Sequence, residues 1–205
     1  MPMPPRRFAF LGLAVVLLLP LRMLATTVDA PPFKDLVGSA DYVVRGVVKS
    51  VSSAWRQAPD GRNYIATKVE LEVHDVIRGT PPASVVLEFV GGRVGEDELR
   101  IEGAPKLQIG EEDIFFVQGN GRMMYPLVGI MHGLYPILHD FKTGADYVLR
   151  SNGMPLYSEQ DVSQPMNRLS AAKQQNPAAL PMTAGAFVRA IRNQPDRVAA
   201  NALEN

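Results

Sequence analysis

NYIATKVELEVHDVIRG, residues 63–79, is the longest clean period-two pattern in this chain of 205 residues. Ile65, Thr67, Val69, Leu71 and Val73 fall on one face of an extended backbone, and Tyr64, Ala66, Lys68, Glu70 and Glu72 on the other. That alternation predicts a half-buried strand, because successive side chains of a strand point to opposite faces. The pattern fails near its end, where Asp75 stands at an inward position and Val76 and Ile77 are both apolar. A β-bulge at His74 or Asp75 would turn Asp75 outward and bend the strand.

The flanking segments read as partners for this strand. Asp41–Val51, DYVVRGVVKSV, predicts a first strand with Tyr42, Val44 and Val48 on one face and Val43, Val47 and Val51 on the other. Apolar residues on both faces, with Gly46 between them, mark a sharp bend or coil, as where a strand passes between two halves of a small barrel. Ser52–Asn63 holds the single tryptophan, Trp55, and a Pro59-Asp60-Gly61 turn signal, and is expected as a long connection. Before the first strand, Pro32–Ala40 predicts one or two helical turns with Phe33, Leu36, Val37 and Ala40 on one side.

Downstream, Ser84–Val90 predicts a third strand, closed by Gly91-Gly92, and residues 93–110 are less regular. Asp113–Gln118, DIFFVQ, predicts a buried strand ending in a Gly119-Asn120-Gly121 hairpin turn, with Arg122–Val128 returning as its partner. Met131–Leu138 and Asp146–Leu149 add one or two short strands around the turn Lys142-Thr143-Gly144.

Roughly five to seven short strands with glycine-rich turns predict an all-β fold. The bent first strand favours a small Greek-key barrel of the oligonucleotide/oligosaccharide-binding (OB) type over residues 33–150, with the helical turn at its N-terminus. Residues 151–182 are expected as a linker, since 158–182 is rich in Ser, Gln, Asn, Ala and Pro. In the C-terminal segment 183–205, Thr183–Asn193 predicts a short amphipathic helix with Thr183 as N-cap and Phe187 and Ile191 one turn apart. Too short to stand alone, it must dock on the barrel, bind a partner or stay loose.

The N-terminus has the form of a secretory signal: Arg6 and Arg7, a run of 14 residues from Phe8 to Leu21 that is almost wholly apolar, then Ala25. The run contains Pro20 and falls short of the ~20 residues that span a bilayer, so cleavage after Ala25 is expected and no membrane span remains. The expected location is therefore periplasmic or secreted. Removing residues 1–25 takes Arg6, Arg7 and Arg22 from 21 basic residues, leaving 18 against 21 acidic ones, a formal net charge of −3. Such a surface does not attract a phosphate backbone, so no nucleic-acid partner is expected. With no cysteine in the chain, disulfides, thiolate metal sites and an N-terminal lipid-modified Cys are all excluded.

Residues 36–138 resemble a family of exported bacterial β-barrel proteins whose function is unassigned. The matching features are Ser39-Ala40-Asp41 with Val43-Val44-Arg45-Gly46-Val47-Val48, Val73–Gly79 ending in Ile77-Arg78-Gly79, and Gly91-Gly92 with Gly95. Gly103-Ala104-Pro105, Gly110-Glu111 before Phe115-Phe116, and Val128-Gly129 to Gly133 complete them. More distantly, the order of these features resembles the netrin-type module of tissue inhibitors of metalloproteases, an OB-type barrel. In those inhibitors an N-terminal cysteine held by a disulfide chelates the protease zinc. This chain has no cysteine and its expected mature N-terminus is Thr26, so the resemblance implies the architecture and not that mechanism.

No Walker loop, dinucleotide fingerprint, nucleophile elbow or HExxH spacing occurs, and no cofactor or catalytic residue is expected. His74, His132 and His139 are the candidates for a zinc or copper site or a general base, with Met123, Met124 and Met131 as thioether ligands suited to Cu(I). The acidic clusters 96–98 and 111–113 lack a calcium-loop pattern and read as solvated charge. Trp55, Arg56, Arg62 and Tyr64 could form a contact patch, since Trp, Tyr and Arg are the usual interface anchors. His74 and Asp75 join them as the irregular end of the central strand. The expected function is an exported, non-enzymatic binding module for another exported protein, with a protease inhibitor or an accessory protein as the forms the resemblance suggests. Metal binding, enzymatic use of the histidines and glycan binding on the barrel face are the alternatives.

Overall fold

The computed structural model describes residues 30–166 and 168–195, so the export signal expected at 1–25 and the tail from 196 lie outside the described residues. The strands are β1 (Tyr42–Gln57), β2 (Asn63–Gly79), β3 (Val85–Val90), β4 (Gly92–Val94), β5 (Asp97–Leu99), β6 (Glu112–Val117), β7 (Leu134–Asp140) and β8 (Ala145–Val148). The helices are α1 (Phe33–Ser39), α2 (Ala171–Gln175) and α3 (Ala184–Arg192), with 3-10 turns at Ile130–Gly133 and Glu159–Ser163. The fold is all-β. Six antiparallel strands form one sheet in the order β3-β2-β1-β6-β7-β8, and β4 and β5 make a separate hairpin.

The sheet rolls into the small barrel-like shape expected, without closing. Its two edges are covered instead of paired with each other, as natural sheets commonly manage exposed edges. At β3, the Asn120 side chain acts as a surrogate peptide: its Nδ2 donates to the Val86 carbonyl at 2.7 Å and its Oδ1 accepts from the Glu88 amide at 3.3 Å. The Val90 amide then donates to the Met124 carbonyl at 3.0 Å. At β8, the Leu156 amide donates to the Val148 carbonyl at 2.9 Å and the Val148 amide to the Met182 carbonyl at 3.0 Å.

β1 explains why the first strand is apolar on both faces. Tyr42, Val44 and Val48 pack inside the roll with Val69, Leu71, Leu87, Phe89, Phe115 and Leu134. Val43 faces the opposite way, into a second core of Phe33, Leu36, Ile114, Phe116, Tyr135, Phe187 and Ile191. The central strands are thus the shared wall of two cores.

The bulge expected at His74 or Asp75 is present and falls at His74, because Arg45 pairs with Asp75 and Gly46 with Val73, leaving His74 unopposed. A second lies at Ile77, between Val76 and Arg78, and a third at Lys49 on β1. Each extra residue inverts the inward parity. Val69 and Leu71 therefore point into the roll, whereas Ile77 points into the helix-side core.

At Gly46 the backbones of β1 and β2 leave no room for a side chain. A Cβ there would lie 2.7 Å from the Glu72 carbonyl oxygen, a backbone atom that cannot swing aside. Gly46→Ala is expected to lower stability by about 1–3 kcal/mol, the usual cost of overpacking, as read from urea unfolding. An unchanged midpoint would show that the two strands can part without loss.

Three other segments differ from the sequence reading. Ser52–Gln57 continues β1 and is not a connection, so the link to β2 shrinks to residues 58–62. The reason is pairing: Ser, Ala and Arg carry little strand propensity, but each sits opposite a residue of β2. Arg122–Val128 is not a strand and touches β6 through one bridge, Val117 to Leu127. Residues 151–182, expected as a linker, supply Leu156 and Val162 to the helix-side core. Arg150 ties this segment down by donating to the carbonyls of Gln164 and Pro165.

α3 is docked. The Thr183 hydroxyl accepts from the Ala186 amide at 3.3 Å as an N-cap. The Phe187 ring then lies 4.9 Å from Tyr135, 5.7 Å from Phe33 and 6.2 Å from Phe116, centroid to centroid.

Candidate functional site

The residues singled out in the sequence fall at the two ends of β2. At the first end, β1 and β2 pair as far as Gln57 and Asn63 and close through a turn in which the Gly61 amide donates to the Ala58 carbonyl. Asp60 fixes Arg62 by accepting from its Nε at 2.7 Å and from its amide at 3.1 Å. Trp55 stands opposite Ile65, and Arg56 opposite Tyr64, so the pleat puts the tryptophan on one face of the hairpin and Arg56 with Tyr64 on the other. Trp55 is 49% exposed.

On the tyrosine side a groove of about 630 Å³ runs beside the hairpin, bordered by Pro59, Arg62, Tyr64, Glu88, Arg122 and Met124. Met123 and Met124 are both exposed along it. They are held there by the Gly119–Gly121 turn, whose Asn120 is pinned to β3 and whose Gly119 carbonyl accepts from the Arg122 and Met123 amides. Glu88 lies 3.6 Å from Lys68 and 3.9 Å from Arg56, exposed pairs that stabilise little and leave the charges available.

The other end of β2 belongs to a charged network on the helix-side face. Arg45 donates from Nε and Nη2 to the two oxygens of Glu112 at 2.9 and 2.8 Å, and from Nη2 to Asp146 Oδ2 at 2.8 Å. Each carboxylate also holds an imidazole: Glu112 Oε1 lies 3.0 Å from His74 Nδ1, and Asp146 Oδ1 lies 2.8 Å from His139 Nδ1. The hydrogen bonds from Arg45 keep the Glu112 carboxyl below the usual range, and those from His139 and then Arg45 do the same for Asp146. Five strands are stitched together by these five side chains. The bulge sends the next residue, Asp75, to α3, where it accepts from Arg192 Nη2 at 2.9 Å.

Two of the three candidate histidines thus share one network, and the third does not join them, since His132 is buried in the 3-10 turn Ile130–Gly133. His139 is further occupied by an edge-on contact with the exposed Phe141 at 4.8 Å. The network holds two imidazole–carboxylate pairs but no hydroxyl among its members. Among the described residues, no three His, Asp or Glu side chains are grouped so as to hold a metal ion. Nor is any helix long and apolar enough to cross a membrane among them.

One acidic residue departs from its expected role. Asp113, grouped with Glu111 and Glu112 as solvated charge, is 1% exposed. Its burial pushes the carboxyl up to about 7, with Glu111 and Glu112 adding to the effect. The signal lay in the period of two, because Phe115 and Val117 point into the roll and Asp113 shares their face.

No protein-family model matches the chain, and no curated protein matches it.

Proposed function

We propose that the protein is an exported, non-enzymatic binding module that grips a segment of another exported protein at its β1–β2 hairpin. The groove of about 630 Å³ carries this reading, because Arg62, Tyr64 and Arg122 stand there with the exposed Met123 and Met124. Aromatic, arginine and methionine side chains are those in which protein interfaces are enriched. Methionine adds a flexible apolar surface that adapts to what it meets. Trp55 and Arg56 extend the contact area on the two faces of the same hairpin. The resemblance to the netrin-type module favours protein binding over catalysis, without its cysteine-dependent zinc chelation. Export rests on the signal form of residues 1–25.

The test is cross-linked capture from the native cell envelope with tagged full-length protein. Tyr64→Ala and Met124→Ala are each expected to lower recovery of the captured protein about tenfold or more, as truncation of an interface anchor does. Leu169→Ser, exposed elsewhere on the surface, should leave recovery unchanged. Equal recovery with all three variants would remove the hairpin from the interface.

A further inference from the structure

A second cleft, of about 480 Å³, shares no lining residue with the hairpin groove. One wall is the segment Gly103–Lys106, and the remaining lining is mainly aliphatic, with Met131, Leu134, Ile137 and Leu149, beside the polar Ser151 and Asn152. Asp113 lines it. The cross-strand neighbours of Asp113 are Gly46, which has no side chain, and Pro136, which has no donor. Asp113 Oδ2 is consequently buried with no hydrogen-bond partner. A buried carboxyl left in that state costs stability unless something supplies a donor.

We propose that this cleft binds a primary ammonium group on an aliphatic stem, with Asp113 as its counter-ion. A single open acceptor oxygen suits a compact ammonium, whereas a guanidinium fork is matched to two. None of the residues lining the cleft is aromatic, so it offers no cage for a quaternary ammonium. The aliphatic walls take the stem. The other charged groups on the cleft are Glu111 and Glu112, which favour a cation, and Lys106, an exposed rival ammonium at the rim. The ammonium can come from a free alkylamine or from a lysine side chain of a polypeptide, and the test separates the two.

Calorimetric titration of the full chain at pH 8, with n-pentylamine in one arm and Nα-acetyl-lysine amide in the other, is expected to give saturable one-to-one binding. 1-Pentanol, the same stem without the charge, should neither bind nor compete. Asp113→Asn is expected to weaken binding about tenfold or more, the scale of a charge-assisted hydrogen bond. Lys106→Met should strengthen it. Binding in the first arm alone assigns the cleft to small amines, and in the second alone to lysine side chains. Should Asp113→Asn fail to fold, the wild-type affinity decides: it must fall on acidification from pH 8 to pH 5 as Asp113 gains its proton. Failure of both probes at about 20 mM, equal binding by the variant, or a pH-independent affinity would overturn the proposal. Capture at the hairpin is unaffected by any of these outcomes.

Discussion

Replacing Phe187 by alanine is expected to lower the unfolding free energy by about 3–5 kcal/mol, the range for removing a buried phenylalanine ring. The ring is 0% exposed and lies against Phe33 of α1, Phe116 of β6 and Tyr135 of β7. Its loss would leave a void between three elements that cannot all collapse inward, because β6 and β7 are also fixed by the core on their other face. α3 has nine residues, fewer than the ~12–15 that sustain an isolated helix, so its order derives from this burial. Urea unfolding of the variant should therefore show a lower midpoint, and hydrogen exchange should show α3 amides losing protection first. An unfolding free energy within about 0.5 kcal/mol of wild type would mean that the helix is an appendage to the sheet.

The sequence of Thr183–Asn193 leaves docking on the barrel, partner binding and a loose helix all open. What the sequence carried well was the sheet. The alternation of Ile65 to Val73 specifies a half-buried strand, Asp41–Val51 shows the two apolar faces that two cores then cover, and the misplaced Asp75 puts a bulge at His74 or Asp75, of which the structure takes His74. Each is a local periodicity, and periodicity survives in a single chain. The C-terminal segment was opaque for the converse reason. Its average composition is polar, yet Leu156 and Val162 are isolated anchors whose partners lie far away in sequence. The extension of β1 through Ser52–Gln57 was hidden because its residues acquire strand geometry from β2 and not from their own propensity.

The candidate site was legible in part. Trp55, Arg56, Arg62 and Tyr64 do gather at one hairpin, but the pleat divides them between its faces. His74 and Asp75 lie at the far end of β2, about ten residues or roughly 33 Å along the strand from Tyr64. They serve the contacts among β6, β8 and α3 through Arg45 and Arg192. Met123 and Met124 complete the hairpin groove, which sequence could not show because they come from a loop pinned by the side chain of Asn120.

Asp113→Asn is expected to stabilise the protein at pH 8 and to do almost nothing near pH 4. The Asp113 carboxyl is pushed from its ordinary 3.8 up to about 7, first by burial and then by Glu111 and Glu112. Between those values the native state holds a proton that the unfolded chain has released. Stability must therefore fall as pH rises from about 4 to 7, and the loss is complete above the folded value. A displacement of about three pH units corresponds to at most about 4 kcal/mol. Glu112 and Asp146, whose carboxyls are held low by their partners, act with the opposite sign and at lower pH. Subtracting the variant from wild type isolates Asp113, because both proteins carry the Arg45 network. With an m-value near 2 kcal/mol per molar, the urea midpoint of the variant should exceed that of wild type by up to about 2 M at pH 8, converging toward pH 4. A difference that does not change with pH would mean that Asp113 is ionised and satisfied in the native protein, and the cleft would then have no unpaired acceptor to offer an ammonium ligand.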